Sequence, residues 1–298
     1  MHADELDIDE VLVERLIAAQ FPRWAGLPVV KVPSSGTDNA MYRLGDDMVV
    51  RLPRVPGAAG QVGKEGRWLP RLAPELPLDV PVPLAAGVPG EGFPLPWSVQ
   101  RWLDGADVVD APVDLRDAAV RLGLFVAALR RADATGGPPS FRGGPVADGD
   151  AEVRDAIRDL AGDGTVDGDL ATAAWEDVLK LPQWEGAPVW VHSDLLPGNL
   201  LAVDGRLSAV IDFGCLGVGD PACDMLPAWT LLTADTRGPF REAAGVDDAT
   251  WARGRGWALR WGLTADHYYR VLHPTNPVLA AVGRRTAAEA LDEFRAMV

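Results

Sequence analysis

An Asp204-Gly205 pair separates two short apolar runs, residues 200–203 and 207–211. Both runs read as strands, and Asp-Gly supplies the left-handed backbone that a two-residue hairpin turn requires. A hairpin brings its open ends together. Asn199 precedes the first strand and Asp212 follows the second, so two residues thirteen positions apart are expected side by side. Asp194 lies just upstream and is tethered to the same point. Two carboxylates and an amide oxygen gathered in this way suit a hard cation. Mg2+ takes one or two carboxylates and completes its shell with water and substrate phosphates. One carboxylate then remains to accept a proton from a hydroxyl. Phosphoryl transfer from a nucleotide asks for this division of labour, because positioning and charge neutralisation carry most of its catalysis.

The surrounding chain supplies two kinds of structure. Residues 10–20 have an amphipathic helical pattern, followed by strand-like runs at 29–32, 40–44 and 48–52. A Gly/Pro-rich stretch leads to Glu65, Trp68, Leu69 and Leu72 at helical spacing, stopped by Pro74. Residues 80–88 and 98–103 read as two further strands. Beyond Asp104-Gly105 the pattern turns helical: Asp114 is placed to cap a helix in which Leu115, Ala118, Leu122, Phe125 and Leu129 share a face. Residues 135–149 read as a loop, with helices near 150–161 and 169–180 and again from about 221 to the end. The expected fold class is α+β, with a β-rich lobe over residues 1–103 and a larger, mainly helical lobe over 104–298.

Composition narrows the partners. The formal net charge is -15, which repels nucleic acid and anionic lipid. No run of eighteen apolar residues appears, so no membrane span is expected. The acidic N-terminus lacks the basic region of a secretory signal, and two cysteines do not make a disulfide framework. A cytoplasmic protein is expected, monomer or dimer.

The motif His192-x-Asp194-x-x-x-x-Asn199, followed by Ile211-Asp212-Phe213-Gly214 and Gly219-Asp220-Pro221-Ala222-Cys223-Asp224, resembles the catalytic and metal-binding segments of the aminoglycoside phosphotransferase family, which has a protein-kinase-like bilobal fold. The likeness runs in order along nearly the whole chain. It implies Asp194 as the catalytic base, Asn199 and Asp212 as Mg2+ ligands, and ATP or GTP as co-substrate. Ser35, Gly36 and Thr37 fall where that family covers the nucleotide, and Arg51 where kinases place the phosphate-holding Lys. Glu65 would orient Arg51, and the 100–103 segment, with Gln100 and Trp102, would be the hinge that receives the nucleotide base. The implied acceptor is a hydroxyl of a small molecule, an aminoglycoside or related antibiotic. Macrolides, peptide antibiotics, sugars and amino alcohols are the alternatives, and the acidic balance favours an amine-bearing one. Four positions depart from the pattern: Arg51 for Lys, Ser193 for Gly, Leu196 where a polar residue is frequent, and Cys215 after the Asp-Phe-Gly.

Other readings are weaker. His192, alone after an apolar strand, fits a buried hydrogen-bonding residue better than a ligand or base. Asp220 precedes Pro221 and fits a helix cap. Asp224, Trp229, Asp266 and Tyr269 are candidate substrate contacts, with capping or loop support as the alternative for Asp224. A protein kinase would carry His-Arg-Asp, and Ala-Pro-Glu downstream of its Asp-Phe-Gly; the chain has no His-Arg-Asp and no Ala-Pro-Glu after Gly214. A non-catalytic nucleotide-binding regulator would have lost the base or a ligand, and all three remain.

Overall fold

The computed structural model describes residues 6–32 and 39–297. Asp9 opens helix α1 (Glu10–Gln20) by accepting a hydrogen bond from the Leu12 amide at 2.8 Å. Helix α1 buries Leu12, Val13, Leu16 and Ile17 against a five-stranded antiparallel sheet. The sheet contains β1 (Val29–Lys31), β2 (Asn39–Leu44), β3 (Met48–Pro53), β4 (Pro83–Gly87) and β5 (Trp97–Arg101), in the order β1-β2-β3-β5-β4. The turn at 45–47 sets the β2–β3 register, with Leu44 opposite Met48 and Met41 opposite Arg51. Strand β3 is buried along its whole length, so Arg51 is carried into the interior. The expected strand at 80–88 is shorter, because Pro81 and Pro83 interrupt its start.

Helix α2 (Ala59–Leu72) follows, and a short strand β6 (Ala106–Asp107) leads to α3 (Leu115–Arg131), capped by Asp114. Next come α4 (Asp150–Gly162), α5 (Gly168–Val178) and β7 (Val189–Val191). The hairpin is β8 (Leu200–Val203) with β9 (Arg206–Val210), joined by β6 into a three-stranded sheet. Strand β10 (Gly217–Gly219) pairs antiparallel with β7. Four helices complete the chain: α6 (Pro227–Thr230), α7 (Ala234–Ala244), α8 (Asp248–Asp266) and α9 (Pro277–Arg295). A five-stranded sheet followed by a mainly helical part is the α+β architecture expected from the sequence.

Among the described residues the apolar interior forms two clusters. One lies between α1 and the five-stranded sheet, and the other fills the helical part. Helix α2 belongs to the second, although it is threaded between strands of the first. Its Trp68, Leu69 and Leu72 are buried there, and Trp68 meets Trp190 edge-on at 4.7 Å. Such an aromatic pair adds about 0.5–1.5 kcal/mol beyond its buried area. Helix α2 therefore links the sheet carrying Arg51 to the part carrying Asp194. No helix among the described residues is long and apolar enough to cross a membrane.

Candidate active site

The hairpin does what the sequence asks. Its register pairs Leu200 with Val210, and one rung further the Ile211 amide donates to the Asn199 carbonyl at 2.9 Å. The strands slip by one residue between Leu201 and Ala202, which leaves Ser208 as an extra residue on β9. Asn199 is thereby opposite Ile211, with Asp212 the next residue on. Asp212 has φ 60°, a left-handed backbone that is costly for a residue with a Cβ. Its carboxylate is held by the Gly214 amide and by Arg51.

The Asn199 side-chain amide donates to the Asp194 carbonyl at 2.8 Å and to Asp194 Oδ2 at 3.0 Å. With its nitrogen engaged on Asp194, the Asn199 amide has its oxygen to offer a cation. The Asp212 side chain is 44% exposed, so its carboxylate is reachable from solvent. A carboxylate oxygen and an amide oxygen at one end of a hairpin are the hard donors that Mg2+ takes, with phosphates and water to complete its shell. The residues present fit such an ion.

His192 is fully buried beneath this loop. Its Nε2 lies 3.1 Å from the Ile211 carbonyl, and its Nδ1 accepts from the Asp194 amide at 3.2 Å. That pairing fixes a neutral ring with the proton on Nε2, and burial pushes its pKa down. The structure gives it the hydrogen-bonding role, tying Ile211, just past β9, to the 192–194 segment. Asp220 caps the turn after β10 through the Ala222 amide and also receives a bidentate pair from Arg253, at 2.7 and 3.1 Å.

From the other side comes Arg51. Its Nη1 donates to Glu65 at 2.5 Å, and its Nη2 donates to Asp212 at 2.8 Å and to Gln61 at 3.2 Å. Burial works against the charge of Arg51, but Glu65 and Asp212 outweigh it and hold the guanidinium firmly protonated. The expected Arg51–Glu65 pair is therefore present, and it extends across to Asp212. Gln61, Lys64, Glu65 and Trp68 lie at i, i+3, i+4 and i+7 on α2, one continuous face. Lys64 donates to the Gly214 carbonyl at 2.5 Å. Gln61 and Lys64 were not among the expected residues. The helical spacing from Glu65 was the signal that would have found them.

Several candidates have other work. Ser35, Gly36 and Thr37 lie outside the described residues. Gln100 is buried, and its side chain donates to Glu65 at 3.0 Å, so the side chain buttresses the acid. Trp102 is half-buried under the Arg43 guanidinium at 4.0 Å, with its indole donating to Asp104. Asp224 is buried and accepts the His192 and Ser193 amides at 2.8 and 2.7 Å. Trp229 is fully buried and donates to Glu293 at 2.9 Å. Asp266 is buried on Arg270, with Arg284 nearby at 3.6 Å. Burial and internal partners thus correct the expectation that Asp224, Trp229 and Asp266 touch a substrate. The cleft beside Asp266, about 180 Å3, includes Leu160, Thr165, Arg284 and Leu291 and shares no residue with the 192–215 segment. Tyr269 is half-buried against Tyr268, ring centroids 5.0 Å apart, in the π-helical turn after α8.

The sequence matches the model of the phosphotransferase enzyme family over residues 29–257. No curated protein matches it. Among solved structures it is similar to the GDP complex of wild-type aminoglycoside 2'-phosphotransferase-IIIa, with TM-score 0.74 and 19% identity over 96% of this chain and 100% of that one. An aminoglycoside phosphotransferase in complex with GDP and kanamycin gives TM-score 0.71 at 20% identity, covering 96% and 98%. The macrolide 2'-phosphotransferase MphH from Brachybacterium faecium gives 0.61 at 23% identity, covering 94% and 98%.

Proposed function

Because the chain belongs to the phosphotransferase enzyme family, we propose that it moves the γ-phosphate of ATP or GTP to a hydroxyl of a small molecule, an antibiotic of the aminoglycoside or macrolide type. The observation that carries this reading is the convergence of Asp194, Asn199 and Asp212 on one loop and hairpin, met by Arg51 across the molecule.

Asp194 accepts the proton of the acceptor hydroxyl. The hydroxyl oxygen forms a bond to the γ-phosphorus, the bond from that phosphorus to the bridging oxygen breaks, and a nucleoside diphosphate leaves. Asn199 holds Asp194 Oδ2 at 3.0 Å and so limits how the carboxylate can turn. Asn199 and Asp212 would hold Mg2+, which when bound neutralises phosphate charge. Arg51 offers a permanent charge and a planar fork to the phosphates, and Glu65 fixes its direction. On this reading Arg51 exchanges its contact with Asp212 for the nucleotide.

The two antibiotic classes named for the similar structures define the acceptor panel. Nucleotide consumption is measured with each acceptor, for the wild type and for Asp194→Ala. Turnover on one class, reduced at least about a thousandfold in the variant, is the expected result. Equal turnover by both proteins would remove Asp194 from the mechanism.

A further inference from the structure

Residues 132–149 form one of the longest stretches without a helix or strand of length, and sequence patterning assigned it no role. Part of it is docked on the site. The Val218 amide donates to the Pro138 carbonyl at 2.8 Å, the Ser140 amide to the Val218 carbonyl at 3.0 Å, and the Asp220 amide to the Gly143 carbonyl at 2.9 Å. Residues 138–143 thus run along β10 as a strap. Strand β10 lies on β7, and β7 leads directly into His192, Ser193 and Asp194.

The approach is close enough to need glycine. A Cβ on Gly217 would fall 2.4 Å from Ser140 Cα, and one on Gly219 would fall 2.4 Å from Gly143 Cα. Ser140 Oγ donates to the Cys215 carbonyl at 3.3 Å, which also accepts from Ser193 Oγ at 3.0 Å. The strap, the residue after Asp-Phe-Gly and the catalytic loop therefore meet at one carbonyl.

The strap delivers Arg142. Its Nη1 donates to the Ser193 carbonyl at 2.9 Å and to Asp194 Oδ1 at 2.5 Å. Both oxygens of the proposed base are consequently held from opposite sides, Oδ1 by Arg142 and Oδ2 by Asn199. Ser193, where the family pattern has Gly, sits at φ 62°. A left-handed backbone costs a residue with a Cβ about 1–2 kcal/mol. Three hydrogen bonds offset that cost: the Ser193 amide to Asp224, its hydroxyl to Cys215, and its carbonyl from Arg142.

We propose that Arg142 is a positioning residue for phosphoryl transfer: from the strap it fixes the Ser193–Asp194 peptide and the Asp194 carboxylate at the angle needed to meet the acceptor hydroxyl. The inference rests on Asp194 being the base. Arg suits the task because its charge is permanent and the two N–H groups on Nη1, held in the guanidinium plane, reach the carbonyl and the carboxylate together. Burial works against that charge, and Asp194 outweighs it. A misplacement of about 1 Å at a reacting group costs about a hundredfold in rate.

The test compares wild type, Arg142→Ala, Arg142→Lys and Asp194→Ala as full chains. The readout is nucleotide turnover, with the best acceptor of the panel or with water as the acceptor. Arg142→Ala is expected to lose about a hundredfold in kcat, with KM for the nucleotide within about twofold, because the phosphate contacts are elsewhere. Added guanidinium ion should restore at least about tenfold of that loss, and Arg142→Lys should fall between Arg142→Ala and wild type. Guanidinium should do nothing for Asp194→Ala. A kcat for Arg142→Ala within about threefold of wild type overturns the proposal. So does a loss that neither guanidinium nor lysine relieves, since that marks a purely structural strap. If Arg142→Ala does not fold, Arg142→Lys decides: kcat lowered with nucleotide KM held supports positioning, and wild-type kcat refutes it. Full turnover by Asp194→Ala would instead overturn the assignment of the base.

Discussion

Glu65→Gln keeps the shape of a side chain that is 1% exposed and removes its charge. Glu65 accepts from Arg51 on one oxygen and from Gln100 on the other, at 2.5 and 3.0 Å. A glutamine can keep its oxygen on Arg51 and give its NH2 to Gln100 once the Gln100 amide turns over to accept, so the loss falls on Arg51, which exchanges a charged acceptor for a neutral one. Arg51 keeps Asp212 at 2.8 Å as a counterion, which softens the loss. Removing one partner of a buried ion pair costs about 3–5 kcal/mol, and the surviving Asp212 contact places the cost near the lower end, about 3 kcal/mol. A chain of 298 residues unfolding as one unit has an entropy of about 0.6 kcal/mol/K, so Tm should fall by about 5 °C, and further if the cooperative unit is smaller. Scanning calorimetry of wild type and variant at one pH and salt reads the shift directly. A Tm within about 1 °C of wild type would refute the claim that this pair is a buried network whose members depend on one another.

The remaining expectations concern the same framework. Burial pushes the Asp224 carboxyl up to about 7 from its ordinary 3.8, while its bonds from the His192 and Ser193 amides pull the other way. A carboxyl raised in the folded state binds protons that the unfolded chain has released, so its contribution to stability is full below about pH 4 and fades as pH rises through 7. Wild-type stability minus that of Asp224→Asn should therefore fall by about 2–3 kcal/mol between pH 5 and 8 in urea titrations, and a flat difference would exclude the raised value. Arg253→Met leaves Asp220 buried without its bidentate partner and should cost about 3–5 kcal/mol, read as a lower urea midpoint; an unchanged midpoint contradicts it. Gly219→Ala would push a methyl against Gly143 Cα at 2.4 Å and should lower both Tm and turnover by displacing the strap; full activity with unchanged Tm would show that the backbone gives way there at no cost.

What the sequence disclosed followed the range over which its signals act. Asp204-Gly205 fixes a hairpin because the turn geometry is local, and the juxtaposition of Asn199 with Asp212 follows from it without any tertiary information. Helix α2 was legible from Glu65, Trp68, Leu69 and Leu72, and Glu65 pairs with Arg51 as the kinase-like pattern implied. Arg142 left no such trace. It sits in a loop of Pro and Gly, and its meeting with Asp194 depends on a strap-to-strand contact that no periodicity encodes. Asp224, Trp229 and Asp266 misled for the opposite reason. An acid or a tryptophan in a helical lobe reads alike whether it faces a pocket or a buried amide, and only packing separates the two.

The slipped register of the hairpin sets a rule for how its length can change. Below the extra residue Ser208, the pairing of Leu200 with Val210 is carried to the open end, where Asn199 and Ile211 share a rung. Residues gained or lost in equal number from both strands on the turn side of Ser208 lengthen or shorten the ribbon without rotating that end. A single insertion between Ser208 and Asp212 would turn Asp212 to the opposite face and part it from Asn199. Descendants of this chain can therefore vary the turn around Asp204 and Gly205, giving up at most the hydrogen bond from the Asp114 amide to the Gly205 carbonyl, while the spacing from Ser208 to Asp212 stays fixed, and a peptide tag spliced at the turn should leave the Asn199–Asp212 end of the hairpin as it is.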